Sequence, residues 1–196
     1  VKVAGLDLSL TSTGYALITD PDKAVPMWWT STHGSAAVPK DQRVWVTVHE
    51  RIHALAVQLL HAVEFADPDL VVVEGPSLGS TGAGTFDRSG LWWLVYDGLL
   101  GQGRAVAVVP PSNVKTYGTG KGGGADASKD AVLLAAARRY TSAPIRNNNE
   151  ADALLLAAMG CRWLGAPVEK SLPQTHTKAL TKCQWPTTTT KEGTPA

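Results

Sequence analysis

The stretch Val1-Lys2-Val3-Ala4-Gly5-Leu6-Asp7-Leu8-Ser9-Leu10-Thr11-Ser12-Thr13-Gly14-Tyr15 decides the fold. Residues 1–8 read as a β-strand, yet an acid, Asp7, lies inside the otherwise apolar run. A carboxylate in a buried strand is costly unless it is paired or holds a metal. Residues 13–19 read as a second strand and 25–31 as a third, split by the turn signal Asp20-Pro21-Asp22, which predicts an antiparallel meander.

Outward from this meander the period becomes helical over 41–65. With Ile52 at 0° and about 100° per residue, Trp45, Val48, Leu59 and Val63 fall within about 40° of it. The helix is expected to stop at Asp67-Pro68. Leu70-Val71-Val72-Val73-Glu74 is a continuous apolar run ending in an acid, the pattern of a buried parallel strand. A glycine- and serine-rich loop over 75–85, a helix over 86–100 and a strand over 104–109 follow. Next come a helical turn at 113–117, a polar glycine stretch at 118–126, and helices at 127–140 and 148–164. The order βββαβαβαα predicts a mixed sheet with helices packed on its faces. Periodicity is lost after Gly165. Residues 166–185, with Leu172, Leu180 and Trp185, are expected to dock on the body or on a partner, and 186–196 to be disordered.

The chain has 196 residues and 20.7 kDa, enough for one ordinary domain with a tail. Its 44% hydrophobic and 18% charged residues describe a chain with a core, which excludes disorder. Apolar runs are too short to cross a bilayer, and two cysteines, Cys161 and Cys183, exclude a disulfide scaffold and a zinc finger. No export signal is visible at the start, so a cytoplasmic location is expected. Net charge is +1 but uneven: residues 1–110 hold seven Lys/Arg against eleven Asp/Glu, and residues 111–196 hold eleven against six. A basic C-terminal half suits a polyanion.

Three acids stand out by position: Asp7, Glu74, and Asp152 at the start of the last apolar helix run. Adjacent strands lie about 4.8 Å apart. Were the strands of Asp7 and Glu74 neighbours, the two would share one ion, and a helix end packed there would add Asp152. Oxygen ligands of this kind suit Mg²⁺ or Mn²⁺.

These same residues carry a resemblance. Gly5 to Tyr15 is similar to the opening strand of RuvC-type Holliday junction resolvases of the RNase H-like superfamily, and Val71-Val72-Val73-Glu74 to their second acidic strand. Pro110-Pro111-Ser112-Asn113-Val114-Lys115, Gly120-Lys121-Gly122 and Ser128-Lys129-Asp130-Ala131-Val132 resemble their basic segment. Asn149-Glu150-Ala151-Asp152-Ala153-Leu154-Leu155-Leu156-Ala157 is similar to their closing acidic helix. The resemblance implies an α/β, RNase H-like fold: a mixed five-stranded sheet with helices on both faces and a nuclease domain over 1–165. It implies a homodimer that cuts branched DNA, resolving four-way junctions by paired symmetric nicks with two Mg²⁺ ions per site and neither a membrane nor a nucleotide cofactor. Asp7, Glu74 and Asp152 match the metal ligands, and Lys115 and Lys129 match lysines near the scissile phosphate. Lys121, Arg138, Arg139 and Arg146 are candidates to extend that track, although at least one of Arg138 and Arg139 is expected to be ordinary helix surface.

Two departures matter. The resemblance places an acid or histidine three residues before the last Asp, where this chain has Asn149. At about 300° of helix rotation Asn149 faces the same way as Asp152 and is the candidate fourth ligand; Glu150, at about 200°, is a poorer one. A neutral ligand predicts weaker metal binding. The second departure is Ser77, at the place of a junction-opening aromatic. The nearest aromatic, Phe86, either stacks on a base or is the first core residue of its helix, with core favoured. This leaves flap or fork cutting as an alternative; bacteriophage members of the family it resembles have such relaxed branch specificity, and the tail and longer glycine loop would suit such a variant.

Three short motifs are set aside. His49-Glu50-Arg51-Ile52-His53 has zinc-protease spacing, but it lacks a third ligand and reads as two boundary histidines. Gly75-Pro76-Ser77-Leu78-Gly79 has nucleophile-elbow spacing without the helix that an elbow needs. Gly118-Thr119-Gly120-Lys121-Gly122-Gly123 does not join a strand to a helix, so it fits no dinucleotide site. Two other functions compete: an ATP-binding lobe of the actin–hexokinase kind, for which one domain supplies only half, and a branched-DNA binder without catalysis. Trp45, Trp92 and Trp93 are candidates for a dimer face, with burial in the core the simpler expectation.

Overall fold

The computed structural model describes residues 1–24, 26–76 and 84–187. Five strands form one sheet: β1 (Lys2–Asp7), β2 (Thr13–Thr19), β3 (Met27–His33), β4 (Leu70–Glu74) and β5 (Val106–Val109), in the order β3-β2-β1-β4-β5. The first three make the antiparallel meander, and β4 and β5 join β1 in parallel. Helices α1 (Trp45–Ala66) and α2 (Gly84–Gly101) cover one face. On the other lie α3 (Pro111–Thr119), α4 (Lys129–Arg139) and α5 (Asn148–Trp163). Short α6 (Gln174–Thr177) and a 3₁₀ turn (Lys178–Lys182) close the described chain.

The strand pleat decides where the acids point. Ala4, Leu6, Val71 and Val73 feed the core under α1 and α2, whereas Val3, Leu70 and Val72 feed the core under α5. With side chains alternating, Gly5 and Asp7 share the α5 face of β1, and Glu74 shares it on β4. Helix α5 is buried almost all round, as its unbroken Ala153–Cys161 run requires. It reaches the sheet because small residues let it: a Cβ on Gly5 would stand 2.0 Å from the Ala153 carbonyl oxygen, and one on Gly14 2.0 Å from that of Asn149.

Where the chain departs from the sequence reading, local chemistry explains it. Strand β3 starts two residues later than expected because Pro26 cannot donate to a ladder. Helix α1 starts at Trp45, after a separate 3₁₀ turn at Lys40–Gln42. It ends on Asp67 in the left-handed region (φ 47°), ahead of Pro68. The expected turn at 113–117 is a nine-residue helix, α3, with Pro111 pre-organised at its first position and left-handed Gly120 at its end. Trp45 is 79% exposed and not core, since it sits in the first turn of α1 and meets Phe86 instead.

The segment after Gly165 docks on the body. Gln184 pairs antiparallel with Val108 at the free edge of β5, and Trp185 stacks on Trp163 at 5.2 Å. Its anchor is Glu169, whose carboxylate accepts from the hydroxyls of Tyr117 (3.0 Å) and Tyr140 and from Arg162 (3.1 Å). Arg139 stands 4.0 Å from that carboxylate, donates to the Tyr117 and Gly118 carbonyls at the end of α3, and lies over both tyrosine rings. Arg139 is therefore a structural residue, not DNA-facing surface. Glu169→Gln removes the charge from this buried hub and is expected to cost about 2 kcal/mol in urea unfolding, since hydrogen bonds to a charged group contribute about 1.5–3. An unchanged midpoint would show that the segment is not fastened there. The expected disorder of 186–196 lies, beyond Thr187, outside the described residues.

Candidate active site

The parallel register Leu6↔Val73 brings the next residues of each strand, Asp7 and Glu74, side by side at the carboxyl end of the sheet. Their side chains hydrogen-bond to each other. Asp152, one turn into α5, comes over the same end and repels both. Burial raises the Asp7 carboxyl above its usual range, opposed by the bond from Glu74 and by the Lys129 charge. Glu74 lies well above its usual range, through burial first and then through repulsion from Asp7 and Asp152. Burial and Asp7 push Asp152 up to about 7, while Lys129 and Lys115 pull it down. Three half-buried carboxylates grouped at one sheet end against their own repulsion are a site that a cation would relieve.

Among the described residues no three His, Cys, Asp or Glu side chains converge closely enough to grip an ion as they stand, and Asp7 and Glu74 are turned onto each other. In chemistry the donors fit a hard divalent cation, being all carboxyl oxygen and grouped at one sheet end. Asn149 donates its amide to Ser12 Oγ at 2.6 Å, in the β1–β2 turn, on the side of α5 that faces β2. Glu150 is spent elsewhere. Its buried carboxylate accepts from Thr30 (3.2 Å), Thr32 (3.1 Å) and the Arg146 backbone (2.9 Å), so it braces β3 and not the acid cluster. Asn149→Asp is expected to tighten Mg²⁺ binding on the order of tenfold by adding an anionic ligand, with Ser12 turning its hydroxyl to donate. Isothermal titration in Mg²⁺ measures it, and equal affinities would remove Asn149 from the site.

The basic candidates divide. Lys129, the first residue of α4 and just after the Ser128 cap, acts on all three acids, and Lys115 of α3 acts on Asp152. Lys121 is paired with Asp126 in the exposed glycine stretch. Arg138 and Arg146 are exposed. Phe86 is not core: it is 75% exposed and lies edge-on to Trp45 at 6.4 Å. Phe86, Trp93 and Leu100, at seven-residue spacing on α2, are 75%, 63% and 50% exposed. Trp92 is buried and donates to the Glu74 carbonyl at 2.9 Å, so it fixes the strand end.

The sequence reading missed Arg88. With Leu8, Thr85, Ser89 and Trp92 it lines a cavity of about 110 Å³ beside Glu74. Its signal was the four-residue spacing to Trp92 on α2. His49 and His53 are exposed, with their rings stacked at 5.6 Å, which agrees with setting the zinc-protease spacing aside. The 118–123 glycines begin inside α3, with Gly118 in its last turn and Gly120 at its end, so they do not join a strand to a helix, as the rejection of a dinucleotide site expected. The nucleophile-elbow spacing runs into 77–83, outside the described residues.

A mixed five-stranded sheet of order β3-β2-β1-β4-β5 with helices on both faces is the RNase H-like fold. No protein-family model matches the sequence, and no curated protein matches it either. Among solved structures the chain is similar to Thermus thermophilus RuvC, with TM-score 0.62 and 21% identity over 85% of this chain and 98% of that one. The same protein in complex with a Holliday junction substrate matches at TM-score 0.62 and 18% identity, covering 85% and 97%. The yeast mitochondrial Holliday junction resolvase Ydc2 matches at TM-score 0.57 and 13% identity, covering 84% and 79%.

Proposed function

We propose that this chain is a divalent-metal-dependent endonuclease that resolves four-way DNA junctions by paired symmetric nicks as a homodimer. The observation that carries the reading is the acid cluster: Asp7, Glu74 and Asp152, half-buried at one end of the sheet under the influence of Lys129. Asp7, Glu74 and Asp152, with Asn149, would hold two Mg²⁺ ions, or Mn²⁺ in their place. Bound there, the ions supply an activated water and charge stabilisation for an in-line displacement at the scissile phosphate. Lys129, at a helix start, neutralises a phosphate oxygen, and Lys115 holds the neighbouring one. Lys121, Arg138 and Arg146 follow the duplex backbone. Phe86, with Trp45 against it, stacks on a base at the branch. Trp93 and Leu100 form the face for a second copy, since exposed large apolar side chains at regular spacing mark an interface.

Residues 1–165 form the nuclease unit in this reading, and no nucleotide cofactor takes part. No described helix is long and apolar enough to cross a membrane. The two free cysteines suit a cytoplasmic setting.

The test is cleavage of end-labelled four-way junction, flap, Y-fork and linear duplex in Mg²⁺ or Mn²⁺, with Asp7→Asn as control. Paired symmetric junction nicks that vanish in the variant are expected. Equal cutting of flaps and forks would make the protein a general branch nuclease. Tight binding without cutting would leave a DNA-binding protein, and ATP hydrolysis without DNA would revive the nucleotide-binding reading.

A further inference from the structure

We propose that the docked segment 178–184 is a second phosphate-binding edge of the DNA surface, with Lys178 and Lys182 as its contacts; this rests on the nuclease reading above. Register places the segment. Gln184 pairs antiparallel with Val108, so the residues before it run toward the carboxyl end of β5, where Glu74 and Val109 are partners. That is the end of the sheet that holds the acids. The side-chain amide of Asn113, in the first turn of α3, donates to the Ala179 carbonyl, which fixes the 3₁₀ turn against the helix carrying Lys115. From β1 to this added strand position is three strand spacings, about 15 Å, well within the length of one duplex arm.

Charge selects the ligand. Lys178 and Lys182 are exposed, and among the described residues neither forms an ion pair, whereas Lys23 and Lys121 do. The one acid of the docked stretch 166–185, Glu169, is taken up by Arg162 and Arg139. The turn is held by backbone and ring contacts, Trp185 to the Leu180 carbonyl (3.0 Å) and Trp185 on Trp163. Two unpaired ammonium groups are thus presented on an ordered frame, with little further entropy lost when phosphate arrives. Lys170 belongs to the same docked stretch 166–185 but lies outside 178–184, lining a groove with Lys23 and Trp28 beside the β2–β3 turn at the opposite end of the sheet. It serves as an internal control.

The experiment compares the full chain with Lys178→Gln/Lys182→Gln and with Lys170→Gln, measuring junction binding in Ca²⁺ across a salt series. Losing two phosphate contacts should lower the slope of log K against log salt by about 1.8, and affinity at 100 mM salt by tenfold or more. Lys170→Gln should match the wild type. Unchanged affinity and slope in the double variant would overturn the proposal, and so would an equal per-charge loss in Lys170→Gln, which would reflect net charge alone. If the unmutated chain fails to bind junction DNA, the nuclease reading falls and takes this proposal with it.

Discussion

Asp152→Asn is expected to lower junction cleavage by at least about a hundredfold and toward a thousandfold, and yet to give a more stable protein. The two effects have one cause. In the folded chain burial and the Asp7 charge push Asp152 up to about 7, against an ordinary value of 3.8. Between pH 4 and 7 the unfolded chain releases this proton while the folded chain keeps it, so stability falls as pH rises. Above about pH 7 the full penalty applies, on the order of 4 kcal/mol for a shift of about three pH units. Asparagine has nearly the same shape and no charge to strand. The variant should therefore melt higher than the wild type at pH 8 and with it at pH 4. Mg²⁺ should raise the wild-type melting temperature more than the variant's. Thermal melts at the two pH values, with and without Mg²⁺, measure all of this. A variant that melts lower at pH 8 would show that the carboxylate is held for packing and not for charge.

Gly5→Ala is expected to destabilise the protein by more than about 3 kcal/mol, the upper end of ordinary overpacking. A methyl group there would lie 2.0 Å from the Ala153 carbonyl oxygen and 2.8 Å from the Ala157 backbone nitrogen. Both obstacles are main chain of a buried helix, so no side-chain rotation relieves them. Helix α5 must lift from β1, and Asp152 lifts with it. Gly101→Ala, where nothing lies within 4 Å, is the matched control and should unfold near the wild-type midpoint. Urea unfolding of both reports the difference, and a Gly5→Ala midpoint equal to that of Gly101→Ala would mean that α5 sits farther from the sheet than described.

The acids were legible because each breaks a local rule. Asp7 and Glu74 interrupt apolar strands, and Asp152 stands at the start of the apolar run of α5, Ala153–Cys161. Strand and helix periods are local, so β2 and β4 were found to the residue, and their parallel or antiparallel pairing followed from the connections between them. Phe86 was misjudged because a helix wheel shows which residues share a face, and not whether another layer covers that end of it. The same reason exposes Trp45. Glu150 and Asn149 are neighbours in sequence with opposite fates, decided by β3 and the β1–β2 turn, more than a hundred residues away.

The sequence by itself determined the elements, the three acids and the basic half, because periodicity and misplaced charge are written along the chain. Only the tertiary structure decided which cations stand free. Arg138 and Arg139 are adjacent and alike in sequence, yet Arg139 is consumed by the Glu169 hub while Arg138 remains exposed. It also decided where the last described segment goes: the edge of β5 has unpaired backbone groups to offer, and Gln184 takes them. Pairings across such distances depend on which surfaces the fold leaves uncovered, and no local pattern encodes that.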